Sequence, residues 1–275
     1  MRLTTLLAAL ALSVAQPAIA QTGKTDTPSP YVKAGIPAPS RAWTGADYTQ
    51  AVNVLESGAS PLPRFSDSNG AAVLNRMTAV ENLDFYRNPS VPLETRYGDY
   101  LALSIGINTL MTLYLDSPRD SAGKTQLETA AIVAYRLRVA VAGLDLVDEL
   151  ISTVPKDEKY ATRVANMKTM QTAYSSTLGD AEVMLTAEHG FSAAGRSLVL
   201  KAMADTLPTL KRAFQPFYKE ELRQRLEADR AKLNDAEDRR LLDDMIGQLD
   251  NLGLCHGLLR KGLRVPSSEL EPPRK

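Results

Sequence analysis

The chain carries few residues able to do covalent or metal chemistry, and their spacing excludes most familiar arrangements. Two His and one Cys occur in 275 residues. No His-Glu-x-x-His, Glu-x-x-His or Cys-x-x-Cys is present, so the spacings that build zinc sites are missing. His256 follows Cys255 directly, and adjacent helical residues point apart, which prevents a thiol–imidazole relay between them. Cys255 stands near helical spacing from Leu252 and Leu259, as a small buried hydrophobe would. His189 precedes Gly190 at the expected end of a helix, where the dipole favours a cation. No metal and no cofactor is expected. Ser121 and Lys124 form a Ser-x-x-Lys, the spacing that in penicillin-binding enzymes puts an amine one turn from a nucleophilic hydroxyl. The companion Ser-Asp-Asn and Lys-Thr-Gly are absent, and Ser66-Asp67-Ser68 misses the first by one residue. The pair therefore reads as an N-cap serine followed by a solvated lysine.

Two groups of residues could bind rather than catalyse. Ser104, Asn108 and Thr112 are spaced by four on an otherwise apolar segment, which makes one polar stripe along a helix. Buried polar groups need partners, so the stripe is a candidate ligand-binding groove. Its competing reading is hydrogen bonding between helices and to the preceding turn. The second group mixes aromatic rings with arginines in the first half: Trp43, Arg64, Arg76, Arg87, Arg96 and Tyr97. Flat rings beside guanidinium groups suit sugars, carboxylates or a partner surface. Core packing with ion pairs at its rim is the alternative. Glu81, Glu94 and Asp99 lie among them and are the carboxylates that could divide acid and base roles in a hydrolase.

The elements that must position these residues read as helices throughout. Thr44 with Asp47 forms a capping box, and Trp43 with Tyr48 a hydrophobic staple, opening a helix that stops near Gly58. A second helix is expected from about Gly70 to Tyr86, ended by Asn88-Pro89. A third runs from near Pro92 to about Leu115. From Leu101 to Leu115 it is apolar all round, which predicts a central, buried helix. Val133, Leu137, Ala140, Leu144, Val147 and Ile151 then repeat at alternating steps of four and three. So do Tyr160, Val164, Met167, Gln171, Tyr174, Leu178, Ala181 and Leu185. The short break at Val154-Pro155-Lys156-Asp157 makes these two helices an antiparallel hairpin, with Gly190 supplying a left-handed C-cap. Ser192 caps a sixth helix that Pro208 should kink, Pro216 opens a seventh, and Asn234 with Glu237 caps an eighth. A last short element spans Leu254 to Leu263. Charge is dense and alternating over residues 219–244, with Arg223/Glu227 and Arg239/Asp243 at pairing distance on a solvated face.

The fold expected is therefore all-α: a bundle of about seven to eight helices around a long antiparallel hairpin. The domain occupies residues 43–265, between a Pro-rich linker at 21–42 and a frayed tail at 266–275. Ahead of the linker, Arg2, the apolar run Leu6–Ala15 and Ala18-Ile19-Ala20 make a signal peptide cleaved after residue 20. The expected location is periplasmic or secreted. The formal net charge is zero, so there is no bulk attraction to nucleic acid or anionic lipid. With no complete catalytic motif, the reading favours a non-enzymatic interaction module: a scaffold, adaptor or inhibitor of another envelope protein. A small-molecule carrier or sensor with an interhelical site is the alternative, and an envelope hydrolase the third.

Overall fold

The computed structural model describes residues 28–119, 121, 123–124, 126–153, 160–209 and 216–253. Of the expected features, the signal peptide, Cys255, His256, the Leu254–Leu263 element and the tail lie outside them. The protein is an all-helical bundle; 76% is helix, and no strand occurs among the described residues. The elements are α1 (Pro30–Lys33), α2 (Gly45–Glu56), α3 (Ser68–Met77), a 3-10 turn (Val80–Leu83), α4 (Asp84–Arg87) and α5 (Leu93–Leu115). Then come α6 (Leu127–Thr153), α7 (Tyr160–Thr186), α8 (Ala193–Thr206), a second 3-10 turn (Leu207–Thr209), α9 (Pro216–Lys232) and α10 (Ala236–Gly253).

The helix at the centre is α6. Its first five turns are buried on nearly every side, and α5, α7 and α8 all pack against it. Small residues make this possible: Ala130, Ala131, Ala134, Ala140, Ala142 and Gly143 keep the cylinder thin. At Gly143 a Cβ would stand 2.1 Å from the Tyr100 hydroxyl. The expected central helix, α5, sits instead on the flank. It buries Leu103, Ile107, Leu110 and Tyr114 but leaves Leu101, Ile105 and Leu115 exposed. Apolar residues all round a helix cannot by themselves say whether a second neighbour covers the far side.

The long hairpin is formed by α6 and α7, each of 27 residues. Arg136 near the start of α6 reaches Asp180 near the end of α7 at 3.6 Å, as antiparallel packing requires. Val133, Leu137, Ala140, Leu144 and Val147 are buried, as are Tyr174, Leu178, Ala181 and Leu185. The seam loosens toward the connection, where Val164 is exposed. Against α2, α5 packs backbone to backbone: Cβ atoms at Gly45 and Gly106 would meet the Asp99 carbonyl at 2.0 Å and Tyr48 at 2.8 Å.

Local signals resolve individually. The Thr44/Asp47 capping box is present, with Thr44 N–H donating to Asp47 Oδ2 at 2.9 Å. The Trp43 and Tyr48 rings meet edge to face at 5.5 Å. Ser192 caps α8, accepting from Gly195 N–H at 3.3 Å. Several expectations differ. The single helix over Gly70–Tyr86 is three pieces, begun by Asp67, which accepts from Gly70 N–H at 2.8 Å. Residues 28–42, read as linker, hold α1 and bury Tyr31 and Ile36. The cap of α10 is Asp235, one residue past Asn234, accepting from Glu237 N–H at 2.9 Å. Gly190 has no positive φ; it is required because a Cβ there would lie 2.1 Å from the Met184 carbonyl. Pro208 lies in a 3-10 turn that follows α8, rather than within a kinked helix. Arg223 does pair with Glu227 at 3.2 Å, whereas Asp243 is taken by Arg230 and Arg239 turns back to the Leu233 carbonyl.

Two measurements check this packing. Gly143→Val forces the buried Tyr100 aside and is expected to cost about 1–3 kcal/mol in chemical denaturation. Gly247→Ala, on an exposed helix surface with nothing within 4 Å, is expected to gain up to about 1 kcal/mol. At the α7–α9 contact, burial pushes the Glu182 carboxyl up, while Arg225 at 2.7 Å pulls it back and Asp229 and Glu221 add to the rise. A carboxyl raised in the folded state favours folding below its unfolded value, and that favour is lost as pH rises through the folded one. Denaturation midpoints of Glu182→Gln should therefore gain on the parent protein as pH rises from mildly acidic to neutral.

Candidate functional site

A groove of about 580 Å³ lies between α5 and α7, with α6 beneath. Asn108, Met111, Thr112 and Leu115 form one wall, Val183 and Met184 the other, and the Arg136–Asp180 pair spans its floor. The two walls run parallel because both helices are antiparallel to α6. Toward the α5 N-terminus they close on each other: Asn166 donates to the Tyr97 hydroxyl at 3.5 Å, and the Tyr100 hydroxyl lies 3.8 Å from the Met170 sulfur. A smaller hollow of about 220 Å³ extends past Leu115 and Met184 to Gln126, Arg119 and His189.

The polar stripe sits on this groove's rim and not within a buried surface. Asn108 and Thr112 are exposed, and Ser104 is half-buried. Thr112 donates to the Asn108 carbonyl at 3.3 Å, the bond to the preceding turn that the sequence allowed. The stripe shares its ridge with apolar side chains: Ile105 is 68% exposed, Leu115 50% and Leu101 40%. Across the groove, Val183 is 68% exposed. Periodicity drew attention to Ser104, Asn108 and Thr112, but it could not separate the covered side of α5 from the open one. The exposed Leu101, Ile105 and Leu115 were therefore missed as site residues.

The aromatic and arginine group does not form one surface. Trp43 is buried at 1% exposure; its indole N–H donates to the Ala38 carbonyl and its backbone N–H to Asn82. Arg64 stacks over the Tyr114 ring at 5.5 Å. Arg76 donates to the Pro39 carbonyl at 2.9 Å, which holds residues 28–42 against α3. Arg87 is exposed, 3.9 Å from Asp84. Arg96 is 3% exposed and grips both oxygens of Glu149 on α6 at 2.8 and 2.6 Å, with further bonds to the Tyr86 and Val91 carbonyls. Hydrogen bonding to Arg96 holds the Glu149 carboxyl below its ordinary value. These arginines bind the chain to itself. Sequence could not tell them from ligand-facing ones, because their partners are backbone carbonyls and a carboxylate 53 residues away.

No family model, no curated protein and no solved structure matches this chain. What the site can do must therefore be read from its own chemistry. Among the described residues no three His, Cys, Asp or Glu side chains gather as a metal site would require. No described helix is long and apolar enough to cross a membrane. Asp99 accepts from the Tyr86 hydroxyl at 2.8 Å and from Gly45 N–H at 2.6 Å, while Glu81 is exposed on the first 3-10 turn and Glu94 is exposed in the first turn of α5. Lys124 donates to the Glu188 carbonyl, and Ser121 precedes the start of α6 by two turns of chain rather than capping it. The groove itself offers apolar walls, one carboxamide, one hydroxyl and one ion pair.

Arg96→Ala strips two carbonyls and a carboxylate of their partner. It is expected to lower stability by about 2–4 kcal/mol in denaturant titration, with Arg96→Lys recovering part of the loss. A role in recognition alone would leave the denaturation midpoint where it was.

Proposed function

We propose that the protein is a non-catalytic interaction module of the periplasm or cell exterior, acting as a scaffold, adaptor or inhibitor. Its docking surface is the outer ridge of α5 together with the α5–α7 groove. One observation carries this reading. From Tyr100 to Leu115 the chain holds no charged residue, yet Leu101, Ile105, Asn108, Thr112 and Leu115 face outward along the full stretch. Solvated helix faces ordinarily carry charge, as α9 and α10 do here, and exposed apolar patches mark interaction sites. An open groove between parallel helices suits an amphipathic helix laid along it. The leader-like segment at residues 1–20 supports an envelope location for such a partner.

A small-molecule carrier remains the second reading, because Asn108 and Thr112 line the same groove. A ligand mass retained in native mass spectrometry favours that reading. The docking reading is checked by replacing Ile105 with a photoreactive residue in the producing cell. Irradiation should give protein adducts from position 105 and none from Glu237, an exposed residue on α10. Absence of adducts from positions 105, 115 and 183 alike would refute the docking surface.

A further inference from the structure

We propose that a cleft at the start of α6 binds a free α-amino acid or a small zwitterion of the same kind. The site is separate from the α5 ridge, and no residue lining it belongs to that helix. The cleft measures about 440 Å³, within the range of small-molecule sites, and its walls include Arg64, Ser66, Gln126, Leu127, Glu128 and Ser192. Arg64 and Glu128 are the two charged residues among those described on its walls.

Each of the two has bonding capacity that the described chain leaves unused. Arg64 differs from the other arginines of the first half, which turn to carbonyls and carboxylates. It lies over the Tyr114 ring, a contact that leaves the N–H groups in the guanidinium plane free to donate elsewhere. Its Nη1 is buried with no hydrogen-bond partner. Glu128 is 7% exposed; one oxygen accepts from Phe65 N–H at 2.8 Å, and the other accepts from no described residue. The two opposite charges share one cleft yet form no ion pair with each other. A buried charge without a partner costs stability, and a ligand carrying both signs relieves both at once.

The neighbouring polar groups fit the same ligand. Gln126 donates through its amide nitrogen to the Pro118 carbonyl, which leaves Oε1 buried and without a donor. Ser192 accepts from Gly195 N–H at 3.3 Å, and its own hydroxyl hydrogen can donate. The ligand carboxylate therefore goes to Arg64 and Ser192, as charge-assisted bonds. The ammonium goes to the two acceptors, Gln126 Oε1 and the second oxygen of Glu128. A simple anion would set its charge against Glu128 and a simple cation against Arg64; a zwitterion meets both.

Isothermal titration calorimetry of the full chain, exhaustively dialysed, against each standard L-amino acid should find at least one with a micromolar dissociation constant. The matching acid without the amine, and the matching amine without the carboxylate, should each bind at least about tenfold more weakly. Arg64→Met keeps an apolar stem over Tyr114 and should weaken binding about a hundredfold. The melting temperature of its unliganded form should hold or rise, because an orphaned cation has gone. Glu128→Gln keeps an acceptor for the Phe65 amide and should weaken the amino acid about tenfold without weakening the amine-free acid. It tests the site even where Arg64→Met does not fold. Asn108→Ala should change nothing, which separates this cleft from the α5–α7 groove. Absence of binding by every amino acid at millimolar concentration would overturn the inference. So would an amino acid whose affinity neither variant changes, or one equalled by its amine-free acid, which would leave an anion site only. None of these outcomes bears on the α5 docking surface, and missing photo-adducts at position 105 would leave the cleft standing.

Discussion

The narrowness of α6 is the constraint on which the bundle depends. A helix can be surrounded only if its neighbours approach closely from several directions, and side chains of ordinary size would hold them apart. The alanines of α6 and Gly143 remove that obstacle. Tyr100 can then lie across Gly143, and α5, α7 and α8 settle around one axis. Larger residues at these positions would push the flanking helices outward and open the core to water.

From this centre the outer elements are attached by specific polar links more than by further hydrophobic layers. Arg96 ties α4 and the turn after it to the far end of α6. Arg76 holds the early chain through Pro39, and Arg41 pairs with both oxygens of Asp47 at 2.7 and 2.6 Å. Burial alone would raise the Asp47 carboxyl, but Arg41 and the Thr44 amide bring it below its ordinary value. At the core's polar centre, Asn82 donates to the Tyr48 hydroxyl at 2.9 Å and to the Arg76 carbonyl at 2.6 Å. Tyr48 in turn donates to the Met77 carbonyl, and burial pushes the hydroxyls of Tyr48 and Tyr135 well up and up to about 12. Both phenols stay protonated, and Tyr48 serves as a fixed donor to the Met77 carbonyl.

Sequence made the helices legible because their start signals are local. Thr44, Asp47 and Ser192 act within one turn, and the alternating steps in α6 and α7 lie within single segments. It was less informative wherever a residue's partner lay far along the chain. The arginines grouped by neighbourhood turned to carbonyls and carboxylates on other elements. The break after Met77 follows from Asn82 and Tyr48 taking the Arg76 and Met77 carbonyls, bonds that no local pattern encodes. The candidate stripe was found in part: its polar members were visible through spacing, while the apolar exposure beside them depends on which neighbours α5 has. Centrality was assigned to the most hydrophobic helix, when the deciding property was thinness.

Asp99 closes the account of how the parts cohere. Its carboxylate accepts from Gly45, the first amide of α2, across 54 residues of chain, and from the Tyr86 hydroxyl. The opening turn of α2 therefore has no complete set of acceptors until α5 is in place. Residues 28–87 cannot behave as an independently melting unit; they belong to the same cooperative block as α5 and α6. Amide hydrogens in the first turn of α2 then exchange by opening of that block rather than by fraying, so a helix end near the start of the folded region reports on the stability of its centre.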